Sequence, residues 1–434
     1  MLLLSQTFIN TGVTSLIGLT ARTFSDMDAN RDIEKWKWLS YLQSLFALET
    51  FIAPVLVIFY TQYAGFTFAQ YAMLMSCIFV LSWAFQLPTG AIADKYGAKR
   101  ALIAGNLIYI SAMLSLVVFG TRTPMLLTAT MFSLGGALST GAFQSMMFSV
   151  FASANREREF NAVCARSNGF ALLGGAAGAA LGGWFASVSL ALPMIVDIVV
   201  LSVTTIALGI LINAPTAEPN VRQVSLNAIA LDACKAAFES PKLFVSILVS
   251  AVAFAGVRTG FNLYQPLLMS AGLSLRELGL VFGAFSLLSA VFAYAYSKVS
   301  SRVDGPVVLV VIALIFAASA AVLTEFMAVP GIICAILCHQ LVRAVYPSLS
   351  AYMINMNIAA GSKSRTTILS LAALLRSMTA ALFSYGLAQA SGFTSDKAMF
   401  GVVSLVSAVL ILALGLWSVY AARSKDSAPA SSGG

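Results

Sequence analysis

The chain is poor in the residues that do chemistry in water. It carries one histidine, His339, and Asp, Glu, Lys and Arg together make up only 10% of its 434 residues. One imidazole leaves no histidine cluster for a metal and no usual general base. Neither a phosphate-cradling glycine loop nor a nucleophile–base constellation occurs. An enzyme is therefore not expected, nor is a metal or a bound cofactor. Cysteine is scarce and odd in number, and Cys77, Cys164, Cys234, Cys334 and Cys338 suggest no disulfide framework. Cys334 and Cys338 stand one turn apart beside His339, a spacing that could suit a metal but reads more simply as small residues on a packed helix face. Acidic residues are outnumbered 17 to 25, leaving a net charge of +8. Such an excess can signal nucleic acid, so its distribution matters.

What the chain has in quantity is apolar surface, at 59% of residues. Runs of membrane-spanning length fall near 38–61, 68–92, 101–120, 125–150, 163–187, 191–213, 243–267, 275–296, 306–325, 329–354, 366–390 and 399–420. In lipid these twelve must be helices, because an open sheet edge would leave its backbone unpaired. Pro54, Pro266 and Pro347 lie inside spans, where neighbouring helices can re-satisfy the freed carbonyls. With the N-terminus inside, 19 of the 25 Lys and Arg fall in cytoplasmic segments, and only Arg122, Arg276 and Lys397 fall in external loops. This bias predicts that both termini are cytoplasmic, in a bacterial-type inner membrane, and it argues against nucleic acid as a partner. Trp36, Trp38, Trp184 and Trp417 are expected as interfacial anchors. Residues 1–36 lack the basic start and cleavage site of a signal peptide and read as a cytoplasmic or interfacial segment. Residues 421–434, rich in Ser, Ala and Gly, read as a disordered tail.

The chain repeats itself at an offset of 207 residues. Ala64-Gly-Phe-Thr-Phe-Ala-Gln70 aligns with Ala271-Gly-Leu-Ser-Leu-Arg-Glu277. Thr67 with Gln70, and Ser274 with Glu277, carry the spacing of a helix-starting capping box. The same offset sets Asp94-Lys95 on Ser301-Arg302 and Arg158 on Arg365. The expected architecture is an all-α membrane protein of twelve transmembrane helices in two pseudo-symmetric six-helix bundles, 37–213 and 243–420. They are joined by a cytoplasmic linker, 214–242, with an amphipathic helix around Leu226–Glu239. Two parallel halves with a central site are a transporter design, working by rocking one half against the other.

The segment Gln86-Leu-Pro-Thr-Gly90, followed by Asp94, Lys95, Gly97, Lys99 and Arg100, carries a resemblance. It is similar to the loop between helices two and three of the major facilitator superfamily of secondary transporters, G-x-x-x-D-[RK]-x-G-[RK]-[RK], with Ala98 in place of one basic residue. Gln86–Gly90 resembles the E-x-P-T-G stretch of an efflux-rich branch, with Gln for Glu. The resemblance covers about 37–420. It implies a gating latch in which Asp94 docks near Ser364–Thr367, while Gly90 and Gly97 allow close approach and a tight turn. The degenerate twin at Lys298–Gly305 has Ser301 where the acid would stand. Gly174, Gly178, Gly182 and Gly183 resemble the family's antiporter motif, with Ala179 where proline is expected; small residues at this spacing also pack helices in any membrane protein. The arginine that drug/proton antiporters often carry in helix four has no counterpart in 125–150.

Charges inside spans are costly and are functional candidates by default. Glu49, Asp197 and His339 are candidates for proton coupling. Glu49, Arg258, Asn262, Gln265, His339, Gln340, Arg343 and Arg376 are candidates for substrate binding. Arginine presents a planar, always-charged fork suited to carboxylate or phosphate. The competing readings are a static ion pair bridging the halves for Glu49, pairing with carboxylates or helix carbonyls for the arginines, and a packing role for His339. The functional expectation is a monomeric, proton-driven secondary transporter exporting a small charged or amphipathic organic molecule. Uptake of an anionic metabolite or metal chelate, and a transporter-like sensor that moves nothing, are the alternatives.

Overall fold

In the computed structural model, residues 33–46, 49–153, 156–211, 240–299, 305–325, 328–358 and 365–426 are described. The linker helix expected at Leu226–Glu239 lies outside them, as do the side chains of Asp94 and of its expected dock, Ser364–Thr367. The described residues are helical and contain no strand. The first helix, α1, covers 33–45 and resumes after a break as Ala53–Val55, Leu56–Ile58 and Phe59–Tyr63. Eleven more follow: α2 Phe68–Tyr96, α3 Ala98–Phe119, α4 Met125–Ser153, α5 Glu157–Val188, α6 Leu192–Leu211, α7 Pro241–Ser270, α8 Leu275–Val299, α9 Gly305–Glu325, α10 Val329–Asn357, α11 Arg365–Ala390 and α12 Asp396–Asp426. Ten of the described helices are long and apolar enough to cross a membrane. The other two spans are α4, whose apolar stretch Met125–Thr140 is shorter, and the broken α1.

Local chemistry explains the corners. Thr67 accepts the Gln70 N–H while the Gln70 amide accepts the Thr67 N–H, and Ser274 and Glu277 do the same at the start of α8. Gly65 and Gly272 precede these caps with φ of +84° and +94°, a region that favours glycine. The helix starts Phe68 and Leu275 lie 207 residues apart, as do Ala98 and Gly305. The hairpin between α2 and α3 is a single residue, Gly97, at φ +92°. A Cβ at Gly90 would meet no described atom within 4 Å, so close helix approach is not what this conformation asks of it.

Two expectations shift. Trp36 is no interfacial anchor. Helix α1 already includes residue 33, which turns Trp36 into a core with Ile33 and Phe151, and its exposure falls to 3%; Trp38, Trp184 and Trp417 remain exposed. Helix α12 runs to Asp426, so the first six residues of the expected tail are helical.

The halves meet along α2 with α11 and α5 with α8. In the second pair Gly183 and Gly279 face each other, and a Cβ on Gly279 would stand 2.7 Å from the Gly183 Cα. The packing is uneven along the molecule. At the end carrying loops 64–67 and 271–274, one hydrophobic core takes residues from both halves, Tyr60, Tyr71 and Met113 with Leu263, Phe282 and Phe400. At the opposite end, which carries Gly97 and the last residues of α12, the halves keep separate cores. Phe151, Leu102 and Met147 belong to one; Val249, Ile312 and Ile411 belong to another. Hydrogen bonds across the interface follow the same division: Tyr71 to Asn262 (3.0 Å), Ser76 to the Ala381 carbonyl (2.9 Å) and Arg276 to Ser187 (2.9 Å) lie toward the shared core. The molecule is sealed at one end and divided at the other.

Candidate functional site

The centre of the molecule is organised by the break in α1. Pro54 has no N–H and its ring clashes with the carbonyl four residues earlier, which weakens the helix that runs into it. Glu49 marks the stop with φ +60°, the only non-glycine residue at positive φ among those described. Two distant side chains satisfy the freed backbone. The Asp197 carboxylate of α6, 5% exposed, accepts the N–H groups of Phe51 (3.2 Å) and Ile52 (2.9 Å). The Gln265 amide of α7 accepts the Val57 N–H (2.7 Å) and donates to the Ala53 carbonyl (2.8 Å). Helix α5 approaches closely enough to clamp the segment: Cβ atoms on Gly174 and Gly182 would stand 1.9 Å from the carbonyl oxygens of Leu45 and Phe51. Gly178 abuts Thr50, whereas Gly183 turns to α8.

Glu49 is half-buried and accepts the Tyr109 hydroxyl (2.9 Å). It lines two cavities. One, of 170 Å³, has Thr50, Pro54, Gly175, Phe261, Phe282 and Arg343 among its walls. The other, of 220 Å³, has Tyr60, Met75, Tyr109, Phe132 and Arg258. The first lies just inside the seal, since its α5 and α8 walls end at Ala179 and begin at Phe282, inward of the Gly183–Gly279 crossing.

The arginines converge. Arg258 sits over the rings of Phe79 (5.9 Å) and Phe261 (5.5 Å). Arg343 is exposed to the cavity and donates to the Gln340 oxygen (3.3 Å), which also receives the Ser289 hydroxyl (3.1 Å). Arg376 is half-buried, and its charge bears on Tyr346 together with those of Arg343 and Arg258. The ion pairs recorded among the described residues are Lys37–Glu34, Lys37–Glu159 and Arg156–Glu159, so none of the three arginines has a carboxylate within 4 Å there.

The remaining candidates lie elsewhere. His339 is fully buried within the second half, stacked on Phe400 (4.6 Å) with Nε2 against the Ser404 hydroxyl (2.9 Å), and lines neither cavity. Asn262 and Gln265 are fully buried in the seal, and the Gln265 amide is committed to α1. Asp197 adjoins Glu49 through the backbone it holds but lines neither cavity. Cys334 is exposed while His339 is buried, so the two do not share a face. Sequence reasoning passed over Tyr109 and Tyr346. Tyr346 could have been marked by its place one turn beyond Arg343; nothing in the sequence around Tyr109 singles it out.

Twelve helices in two related halves, sealed at one end around a charged central cavity, define a membrane transporter. A sequence profile described as the Major Facilitator Superfamily matches residues 39–384, and the chain belongs to that family. Its fold is similar to that of a mutant form of the nucleoside transporter NupG, with a TM-score of 0.74 at 12% identity over 90% of this chain and 99% of that one. It is similar too to a POT family transporter in complex with 5-aminolevulinic acid, with a TM-score of 0.68 at 12% identity over 89% of this chain and 96% of that one. A D-xylose-proton symporter aligns with a TM-score of 0.64 at 11% identity over 86% of this chain and 96% of that one. At such identities the likeness concerns the fold alone. No curated protein sequence matches the chain.

Proposed function

We propose that the protein is a proton-coupled secondary transporter of a small organic molecule bearing an anionic group, working by alternating access. The observation that carries this is the position of Glu49. It is the one carboxylate among the residues lining either cavity, and it shares one with Arg343 and the other with Arg258. A carboxylate placed between guanidinium groups, on a helix already broken at that point, can exchange a proton as the halves move. The arginine forks supply the anion-binding face. With the divided end cytoplasmic, as the lysine and arginine distribution suggests, this conformation is open inward.

Export remains the first reading of direction, on the resemblance of Gln86–Gly90 to the efflux-rich branch. The three arginines favour uptake of an anion as a second reading. Proteoliposomes with an imposed pH gradient separate them by the sign of net substrate movement. Glu49→Gln is expected to abolish gradient-driven accumulation while leaving substrate counterflow. Full gradient-driven activity in that variant would overturn the coupling role. Absence of counterflow in the unaltered protein, with binding intact, would favour a sensor.

A further inference from the structure

We infer that the substrate is a small organic dianion, held with one anionic group toward Arg343 and the other toward Arg258, on the two sides of Glu49. The inference rests on the preceding reading only in taking the central cavities as the substrate site, and needs neither proton coupling nor a direction.

Three observations point there. The first is charge. Arg258 and Arg343 line the cavities, Arg376 stands behind them at Tyr346, and Glu49 is the one acid in the walls. With Asp197, which also stands behind the walls, three guanidinium groups face two carboxylates, so one positive charge is left uncompensated in the membrane's interior, where unpaired charge is expensive. One anionic group neutralises that excess, and a second lets the ligand engage both guanidinium groups that line the cavities. The second is unused donors. Arginine has five N–H donors. Among the described residues Arg343 spends one bond on Gln340, and Arg258 and Arg376 make none. Gln340, itself held by Ser289, fixes one edge of the Arg343 guanidinium and leaves the rest facing the cavity. The third is geometry. The two cavities share Glu49 as a wall but have different arginines, so a ligand spanning both meets two separate cationic ends. Phe261 and Phe282 in one cavity and Met75 and Phe132 in the other add apolar wall suited to a short carbon skeleton.

The test uses the purified full chain and probes of matched length. Succinate and 2-hydroxyethyl phosphate are the dianions; butyrate is the monoanion; 4-aminobutyrate is the zwitterion. Thermal stabilisation of the protein is read against concentration at pH 8. At least one dianion is expected to bind about 10- to 100-fold more tightly than butyrate, the gain from one added charge-assisted contact. Succinate against 2-hydroxyethyl phosphate distinguishes a dicarboxylate from a phosphate-ester site. Arg258→Gln and Arg343→Gln should each bring the preferred dianion down to the affinity of butyrate. Should either variant fail to fold, the unaltered protein still decides, through the dianion-to-butyrate ratio. Equal affinity for butyrate and both dianions, preference for 4-aminobutyrate, or binding of none of the four would overturn the inference. A dianion bound tightly by a protein that shows no counterflow would leave the inference standing and overturn the transport reading.

Discussion

Helices α1 and α7 occupy corresponding places in the two halves: shifted by 207 residues, 33–63 falls on 240–270. They are built in opposite ways. Helix α7 is continuous from Pro241 to Ser270, starts on a Ser240 cap, and keeps its helix through Pro266. Helix α1 is interrupted at Glu49, and its backbone depends on Asp197 and Gln265 from other helices. The residue of α7 that corresponds to Glu49 is Gly256, packed against Ser407 and Phe316 in an unbroken turn. The half that carries the cavity carboxylate thus presents it on a segment whose hydrogen bonds can be exchanged. The half that carries the arginines presents Arg258 from a rod. Pseudo-symmetry in the fold here supports a division of labour, with a deformable element facing a rigid one.

The largest effect is expected at Asp197. Asp197→Ala leaves at least two buried N–H groups of α1 without an acceptor, at about 1–3 kcal/mol each, so a loss of roughly 3–5 kcal/mol is expected. Thermal unfolding in detergent should show a larger fall in Tm than any other substitution at the break or its clamp, with Asp197→Asn intermediate. An unchanged Tm would mean that α1 does not rely on α6. Gln265→Leu comes next. It removes the acceptor for Val57 and the donor for Ala53 together, for about 2–4 kcal/mol. Hydrogen exchange should show the loss as faster exchange of amides 50–57, with the amides of α7 itself, which carries the altered residue, unchanged.

This dependence also explains what could be read from the sequence and what could not. The capping boxes at Thr67 and Ser274, the glycine corners and the twelve spans were legible because each is decided within a few residues or by total apolarity. Pro54 reads, like Pro266 and Pro347, as a proline inside a span whose freed carbonyls neighbours would satisfy, and of the three only Pro54 follows an interruption, at Glu49. The identity of the groups that repair it did not follow, because Asp197 lies 146 residues from Phe51 and Gln265 lies 208 from Val57. Gln265 looked like a cavity residue for the same reason that makes it a good patch, an uncharged polar group on an apolar helix. Glu49, Arg258 and Arg343 were legible as candidates because charge in a span is rare and costly. Which candidates share a cavity depended on helix rotation, which uniformly apolar spans do not encode, and so His339 was grouped with a site it does not line.

Glycine substitutions in α5 and α7 should have smaller effects. Gly182→Ala places a Cβ 1.9 Å from the Phe51 carbonyl oxygen, a backbone atom of the patched segment, and is expected to cost about 1–3 kcal/mol and to slow transport. Gly256→Ala on the α7 side meets the Ser407 hydroxyl at 2.3 Å, a group that can rotate away, and should cost less, about 1 kcal/mol. Gly175→Ala has no described atom within 4 Å and should stabilise α5 slightly, by up to about 1 kcal/mol. The order of the three Tm values is the test; Gly256→Ala melting below Gly182→Ala would contradict the assignment of α1 as the tightly clamped element.

The smallest effect concerns how α1 is tied at its other end. Lys37 of α1 binds Glu34 (2.6 Å) and Glu159 at the start of α5 (3.1 Å), and Arg156 holds Glu159 at 2.5 and 2.7 Å. Helix α7 begins on its own Ser240 cap instead. The Arg156 side chain, then Lys37, holds the Glu159 carboxyl below the usual carboxylate value of 4.5. A carboxylate whose value falls on folding stabilises the fold above its unfolded value, and that contribution is lost as pH drops through the folded one. Lys37 is raised above 10.5, chiefly by Glu34, so its contribution holds below that pH and fades as pH rises past it. The tether is therefore intact across the neutral range and fails first on the acid side. Because these groups are largely solvated, Glu159→Gln should lower Tm at pH 7 by under about 2 °C. Its clearer signature is a flatter fall in Tm between pH 6 and about pH 3, with substitutions of Ser240 leaving that acid limb unchanged. An acid limb as steep in Glu159→Gln as in the unaltered protein would show that α1, like α7, stands at this end without help from charge.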